Sequence, residues 1–200
     1  MVVIIDYGMG NLASVLKAVN SLKIEAIITS DKKEIQDASL IILPGVGSFE
    51  QGIKNLKERG LIELLNEEVI QKKKPFLGIC LGMQLIMEQG NEPKPCRGLG
   101  WIKGKVEAIQ NTRLPVPHLG WNKTYQPKEK NQEDTLSNNF YFIHSFHVIP
   151  DEEVKCTYVD YEFTMVASIQ KKNIFATQFH PEKSQEAGLS LLKTYIDSNA

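Results

Sequence analysis

Short runs of apolar residues alternate with amphipathic stretches through the first half of the chain. Val2 to Ile5, Ala26 to Thr29, Leu40 to Leu43 and Phe76 to Ile79 are each too short and too uniformly apolar for helices, so they read as buried strands. Between them, Leu12, Val15, Leu16, Val19 and Leu22 recur at helical spacing. A second helical pattern runs from about Phe49 through Val69 and breaks near Arg59-Gly60. Cys80 to Glu88 reads as the helix after the fourth strand, and Lys72 to Pro75 as a solvated connection. Wholly apolar strands separated by helices predict an α/β fold, a mostly parallel central sheet flanked by helices.

The pattern changes from Leu99 to Gln178. Aromatic and β-branched residues dominate, as in Phe140 to Ile143 and Phe163 to Ile169, which predicts extra, partly antiparallel strands in the second half. Lys123 to Asn139 is polar and reads as an exposed excursion. A last helix is expected after Ser184, with Ser184 as N-cap and Leu189, Leu192 and Ile196 on one face.

Two hundred residues suit a single domain spanning 1–200. A formal charge of -1 gives no footprint for nucleic acid or an anionic membrane. The opening apolar run is too short for a signal peptide or a membrane span, so a cytoplasmic protein is expected. Cys80, Cys96 and Cys156 are odd in number and form no CxxC pair, which argues against a disulfide framework or a structural zinc site. Neither a metal nor a cofactor is expected.

The chemistry concentrates at Gly78-Ile79-Cys80-Leu81-Gly82, where a strand meets a helix. Small residues two places either side of a nucleophile permit the tight elbow that presents it to a cleft. A following helix N-terminus favours thiolate over thiol, and the Leu81 N–H is placed to stabilise an oxyanion. Taken alone, Cys80 could equally be a small buried residue between glycines. A cysteine nucleophile needs a base and a group that orients it. His180 follows the apolar strand Ile174 to Thr177, and Glu182 lies two residues on, across Pro181. Catalytic groups gather at the carboxyl ends of parallel strands, so Cys80 and His180 can meet although far apart in sequence. Pro44-Gly45-Val46-Gly47 ends another strand; its glycines allow backbone N–H groups to face a ligand, or make a plain turn.

Together these blocks resemble the class I (triad) glutamine amidotransferases. Asp6 to Asn11, Pro44 to Phe49, Pro117 to Asn122, Phe142 to Ser145 and Phe179 to Ser184 are similar, more narrowly, to the glutaminase subunits of imidazole glycerol phosphate synthases. The resemblance implies Cys80 as nucleophile, His180 as base and acid, and Glu182 as orienting carboxylate. It implies an oxyanion hole from Leu81, Val46 and Gly47, and glutamine binding by Gly45, Gln84, Ser145 and Phe146. Asn11, Trp121, Asn122, Tyr141 and Lys183 would face a partner, a (β/α)8-barrel cyclase forming a heterodimer. His118 would be non-catalytic and His144 a packed strand residue. L-Glutamine would be hydrolysed to glutamate and ammonia, and the ammonia channelled to make imidazole glycerol phosphate and a carboxamide ribonucleotide in histidine biosynthesis. A subunit feeding a sugar-aminating synthase and a stand-alone cysteine hydrolase of the same fold are the alternatives. The chain departs from the subunit pattern at Phe146-His147, where tyrosine and another aromatic are usual, at Glu162, where glycine is usual, and in Lys128 to Asn139, which lacks the usual glycine-containing turn.

Overall fold

The computed structural model describes residues 1–110, 112–126 and 138–200. Strand and helix alternate first: β1 (Val2–Ile5), α1 (Leu12–Ser21), β2 (Ala26–Thr29), α2 (Lys32–Asp37), β3 (Leu40–Gly45), α3 (Phe49–Glu58) and α4 (Ile62–Leu65). A π-helical stretch, Asn66–Gln71, extends α4 and leads to β4 (Phe76–Cys80) and α5 (Leu81–Leu85). Strands follow: β5 (Met87–Asn91), β6 (Pro95–Arg97), β7 (Ile102–Ala108), β8 (His118–Tyr125), β9 (Asn139–His144), β10 (Phe146–Pro150), β11 (Lys155–Tyr161), β12 (Phe163–Lys171) and β13 (Ile174–Thr177). A 3-10 turn, Pro181–Lys183, then opens α6 (Gln185–Asn199).

Nine strands form one sheet in the order β2-β1-β3-β4-β13-β12-β11-β8-β9. The first five run parallel, and β12, β11, β8 and β9 continue antiparallel. A smaller sheet, β10-β7-β5-β6, packs beside it. β1, β3 and β4 are buried on both faces, whereas the edge strand β2 is half-buried, and side chains of the central strands alternate between two cores. Val3, Ile5, Ile41 and Leu43 join residues of α3, α4 and α5. Val2, Ile4, Leu40, Ile42, Leu77 and Ile79 face α1 and α6. A third cluster, with Phe140, Phe142, Val159 and Phe179, supports the antiparallel half. Among the described residues no helix is long and apolar enough to cross a membrane.

The structure corrects four local expectations. The helix after Cys80 ends at Leu85, because Met87 to Asn91 pairs with β6 and β7 instead. Ser184 precedes α6 but makes no side-chain cap, since its hydroxyl is used elsewhere. Lys74 is buried, not solvated: its ammonium pairs with Glu68 at 2.8 Å and donates to the carbonyls of Ile35 and Gln36, closing the end of α2. The polar excursion is shorter than Lys123 to Asn139, because β8 continues to Tyr125 and β9 begins at Asn139. Residues 127–137 and the glycine-turn comparison made for them lie outside the described residues. Glu162, where a glycine is usual, joins β11 to β12 at φ 63. That left-handed conformation explains the preference for glycine; here the carboxylate instead accepts bonds from the Thr112 hydroxyl and from Arg113 N and Nε.

Candidate active site

Cys80 is the last residue of β4 and the first step out of it. Its backbone stands at φ 53, ψ -105, a conformation disfavoured for a side chain with a Cβ. Backbone approach on both sides holds it there. A Cβ on Gly78 would lie 2.9 Å from the Gly82 carbonyl oxygen, and one on Gly82 would overlap the Leu43 carbonyl. The thiol is buried and points towards the second half of the chain. Its sulfur lies 3.9 Å from the Ile143 carbonyl oxygen and accepts from Gln178 Nε2 at 3.7 Å. Because α5 has only five residues, its dipole beside the sulfur is weaker than the longer helix expected from sequence would supply. The positive partners are the Gln178 amide and His180.

Parallel pairing brings His180 to the sulfur. Thr177 of β13 stands beside Ile79 of β4, so the two strands end together. His180 Nδ1 bonds Glu182 Oε1 at 2.7 Å, and both side chains are almost wholly buried. Pro181 starts the 3-10 turn that folds Glu182 back on its neighbour. The His180 N–H donates to the Tyr141 carbonyl at 2.9 Å. The Ser184 hydroxyl donates to the His180 carbonyl at 2.7 Å and accepts from the Tyr141 N–H at 2.9 Å. This double use explains why Ser184 does not cap α6.

Burial alone would lower the His180 pKa. The Cys80 sulfur and the Glu182 carboxylate outweigh it and push the imidazole up to about 10. Nε2 of His180 and Oε2 of Glu182 are buried without a hydrogen-bond partner. An unpaired buried imidazole nitrogen beside a sulfur is costly in a merely structural site. It is available to exchange a proton with the sulfur or with a bound reactant.

On the β3 side, Gly45 sits beside Cys80 in register. Val46 is exposed, and Gly47 follows at φ 121 with its Cα packed against Met9. Gly10 approaches Gly45 so closely that a Cβ there would lie 3.1 Å from the Gly45 Cα. The two glycine loops therefore buttress each other. Leu81 opens α5, where no helical carbonyl precedes its N–H.

Gln84 is buried; its Nε2 donates to the Phe146 carbonyl and to Gln178 Oε1, both at 3.1 Å. The Ser145 carbonyl is engaged by the Ile109 N–H at 2.8 Å. Gln84 is thus tied to its neighbours rather than free. Two participants were missed from sequence. Gln178, two residues before His180, was given no role, although it contacts the sulfur. Tyr7 is wholly buried with an unpartnered hydroxyl against Gly45, and burial, reinforced by Cys80, raises its pKa strongly.

The residues expected to face a partner divide. Trp121 and Tyr141 pair across β8 and β9 with rings 6.0 Å apart, and the Lys183 ammonium lies over Tyr141 at 5.9 Å. Leu119 and Ile143, also paired, continue this exposed apolar face. They were not anticipated, although alternation with Trp121 marks Leu119. Asn122 lies on the other face of β8 from Trp121. Neighbours in a strand point to opposite faces, so it turns inward and bonds His118. Asn11 is exposed, and its side chain caps α1 through the Ser14 N–H.

A family model described as glutamine amidotransferase class-I matches residues 3–196. The imidazole glycerol phosphate synthase subunit HisH 1 of Campylobacter jejuni (strain RM1221) is 47% identical, over 98% of this chain and 99% of its own. Subunit HisH 2 of Vibrio vulnificus (strain YJ016) is 46% identical, covering 98% and 94%. Subunit HisH of Aquifex aeolicus (strain VF5) is 44% identical, covering 96% and 94%. Among solved structures, one described as a glutamine amidotransferase superposes with a TM-score of 0.77 at 18% identity, covering 98% of each chain. PurLQS from Thermotoga maritima superposes at 0.72 with 16% identity, covering 98% and 97%. At such identities these two likenesses concern the fold alone.

Proposed function

The chain belongs to the class I glutamine amidotransferases, and from that premise we propose that residues 1–200 form one domain acting as the glutaminase subunit of an imidazole glycerol phosphate synthase. The observation that carries the reading is the convergence of Cys80, His180 and Glu182 where β4 and β13 end side by side. The near-full-length identity to synthase subunits supports the pathway assignment.

In this mechanism the Cys80 sulfur attacks the side-chain carboxamide carbon of L-glutamine, and the carbonyl π electrons move to oxygen. The N–H groups of Leu81 and of the Val46-Gly47 loop hold that oxyanion; one such donor is typically worth ~3–4 kcal/mol. His180, protonated beside the sulfur, gives its proton to the departing nitrogen as the C–N bond breaks, releasing ammonia and leaving a thioester on Cys80. The neutral imidazole then takes a proton from water. The hydroxide adds to the thioester, glutamate leaves, and the Cys80 thiolate returns. Glu182 holds His180 through Nδ1, so Nε2 is the nitrogen that works, and the carboxylate stabilises the imidazolium. Gly45, Gln84, Ser145 and Phe146 frame the glutamine.

Ammonia passes to a (β/α)8-barrel cyclase that docks on the face made by Leu119, Trp121, Tyr141, Ile143 and Lys183, with Asn11 at its margin, forming a heterodimer. There its nitrogen is built into imidazole glycerol phosphate while a carboxamide ribonucleotide is released from the acceptor as the second product, in the cytoplasm. The exposed Val46 loop adopts its working form once partner and acceptor are bound, so the isolated subunit turns over slowly. The test is Cys80→Ala in the complex isolated with its synthase partner. Glutamine-driven synthesis should vanish, while synthesis from added ammonium salts continues. Glutamine hydrolysis persisting in that variant would refute the assignment.

A further inference from the structure

The inner face of the β8–β9 hairpin carries two buried histidines that the glutaminase mechanism does not use. His118 and His144 are a direct cross-strand pair. The His118 ring is clasped between Phe142, at 4.8 Å, and Tyr161, at 4.2 Å, each within 30° of parallel as the angles of 21° and 29° show. Four hydrogen-bonding groups form a line: Asn122 Nδ2 to His118 Nε2, His118 Nδ1 to His144 Nε2 at 2.9 Å, and His144 Nδ1 to the Phe146 carbonyl at 2.8 Å.

The far end determines every proton in this line. A carbonyl oxygen only accepts, so His144 must carry its proton on Nδ1. Its Nε2 is then an acceptor, which puts the His118 proton on Nδ1 as well. His118 Nε2 accepts in turn, and the Asn122 amide donates. Burial keeps both rings neutral, pushing His118 down to about 4 and His144 to about 3, so the assignment holds throughout the neutral range. The same Phe146 carbonyl receives Gln84 Nε2. Gln84 also donates to Gln178 Oε1, whose own amide nitrogen donates to the Cys80 sulfur. Two runs of bonds thus meet at the Phe146 carbonyl, which accepts from both: one comes from Asn122, beside the exposed Trp121, through the two histidines, and the other leads from Gln84 through Gln178 to the sulfur. Within each run the bonds are aligned and orient one another, and the shared carbonyl couples the two runs by position.

We propose that His118 and His144, with Asn122, are positioning residues that hold Gln84 and Gln178 against Cys80 and tie that wall of the cleft to the β8–β9 hairpin. This rests on the glutaminase reading and deepens it. The hairpin presents Leu119, Trp121, Tyr141 and Ile143 outward, and this polar line inward beside Phe140 and Phe142. Displacement of its outer face therefore reaches the sulfur through bonds whose direction cannot be reversed without leaving a buried donor or acceptor unpaired.

The test uses the full chain and three variants, all checked for folding by circular dichroism. His144→Phe fills the site but cannot donate to Phe146. His144→Asn places an amide N–H near the position of Nδ1. Asn122→Leu removes the outer donor. Alkylation of Cys80 by iodoacetamide is followed by peptide mass spectrometry, with Cys96 and Cys156 as internal references. The glutamine KM and kcat are measured in the complex with its synthase partner. In His144→Phe, the Cys80 alkylation rate should change at least fivefold and KM rise at least tenfold, with a smaller change in kcat. His144→Asn should return both to within threefold of wild type. If His144→Phe does not fold, Asn122→Leu should move the same two quantities threefold or more. Nitrogen-detected NMR should show both rings neutral with the proton on Nδ1. A folded His144→Phe within twofold of wild type in both readouts, an Asn variant no better than Phe, or a His144 proton on Nε2 would overturn the proposal. Alkylation and tautomers are read without glutamine turnover, so absent turnover with both intact would count against the glutaminase reading instead.

Discussion

Substituting Gly82 by alanine tests how the elbow at Cys80 is held. The added Cβ would overlap the Leu43 carbonyl oxygen and lie 2.9 Å from the carbonyl carbon. Neither atom belongs to a side chain that can swing away: Leu43 is hydrogen-bonded into β3, paired with Gly78 of β4. To restore ordinary contact, α5 must move from β3 by roughly 1 Å or more, and overpacking of that kind costs about 1–3 kcal/mol of stability. Cys80 rides on the same joint. A displacement of ~1 Å between reacting groups costs on the order of a hundredfold in rate. Gly52→Ala is the control, because its Cβ would meet side-chain tips rather than backbone, those of Leu85 at 3.0 and 3.1 Å and of Leu81 at 3.4 Å. Gly52 lies inside α3, where alanine gains up to ~1 kcal/mol of helix propensity. Urea unfolding and the glutaminase kcat of the complex give both readouts. The reasoning fails if Gly82→Ala lies within about 0.5 kcal/mol and threefold in kcat of wild type, or if Gly52→Ala is the more damaging.

Three further outcomes follow from the same contacts. Glu182→Gln retains an acceptor for His180 Nδ1 but removes the charge, so the imidazole pKa should fall from its raised position. Losing the charge-assisted part of that bond, ~1.5–3 kcal/mol, should lower kcat roughly ten- to a hundredfold in steady-state assays. Ser184→Ala strips a buried partner from both the Tyr141 N–H and the His180 carbonyl, and should cost about 1–3 kcal/mol in urea unfolding. Stability should be greatest near neutrality. Below the ordinary histidine value of 6.5 the unfolded chain binds protons that folded His118 and His144 refuse, so stability falls as pH drops towards 4. His180 has the opposite sign: its contribution is complete below 6.5 and is lost as pH rises towards 10. The urea midpoint between pH 4 and 9.5 checks this, and a midpoint rising steadily across the range would refute it.

Much of this molecule was legible in one dimension because it depends on neighbours in the chain. Uniformly apolar runs at Val2, Leu40 and Phe76 signal strands buried on both faces, and glycines two places either side of Cys80 signal a backbone joint. Proline between His180 and Glu182 signals a turn that folds one onto the other. What stayed hidden depends on contacts between distant segments. Nothing local says that β13 returns to lie parallel with β4, yet that pairing delivers His180 to the sulfur. The helix after Cys80 stops early because partner strands claim Met87 to Asn91. Ser184 abandons its expected cap because Tyr141 and the His180 carbonyl compete for its hydroxyl. Asn122 was grouped with Trp121 as one contiguous block, but a pleated strand sends adjacent side chains to opposite faces, and only the inner one meets His118. The residues themselves determined the chemistry available, whereas the sheet order decided which groups could exchange a proton, since transfer requires proximity that sequence separation does not encode.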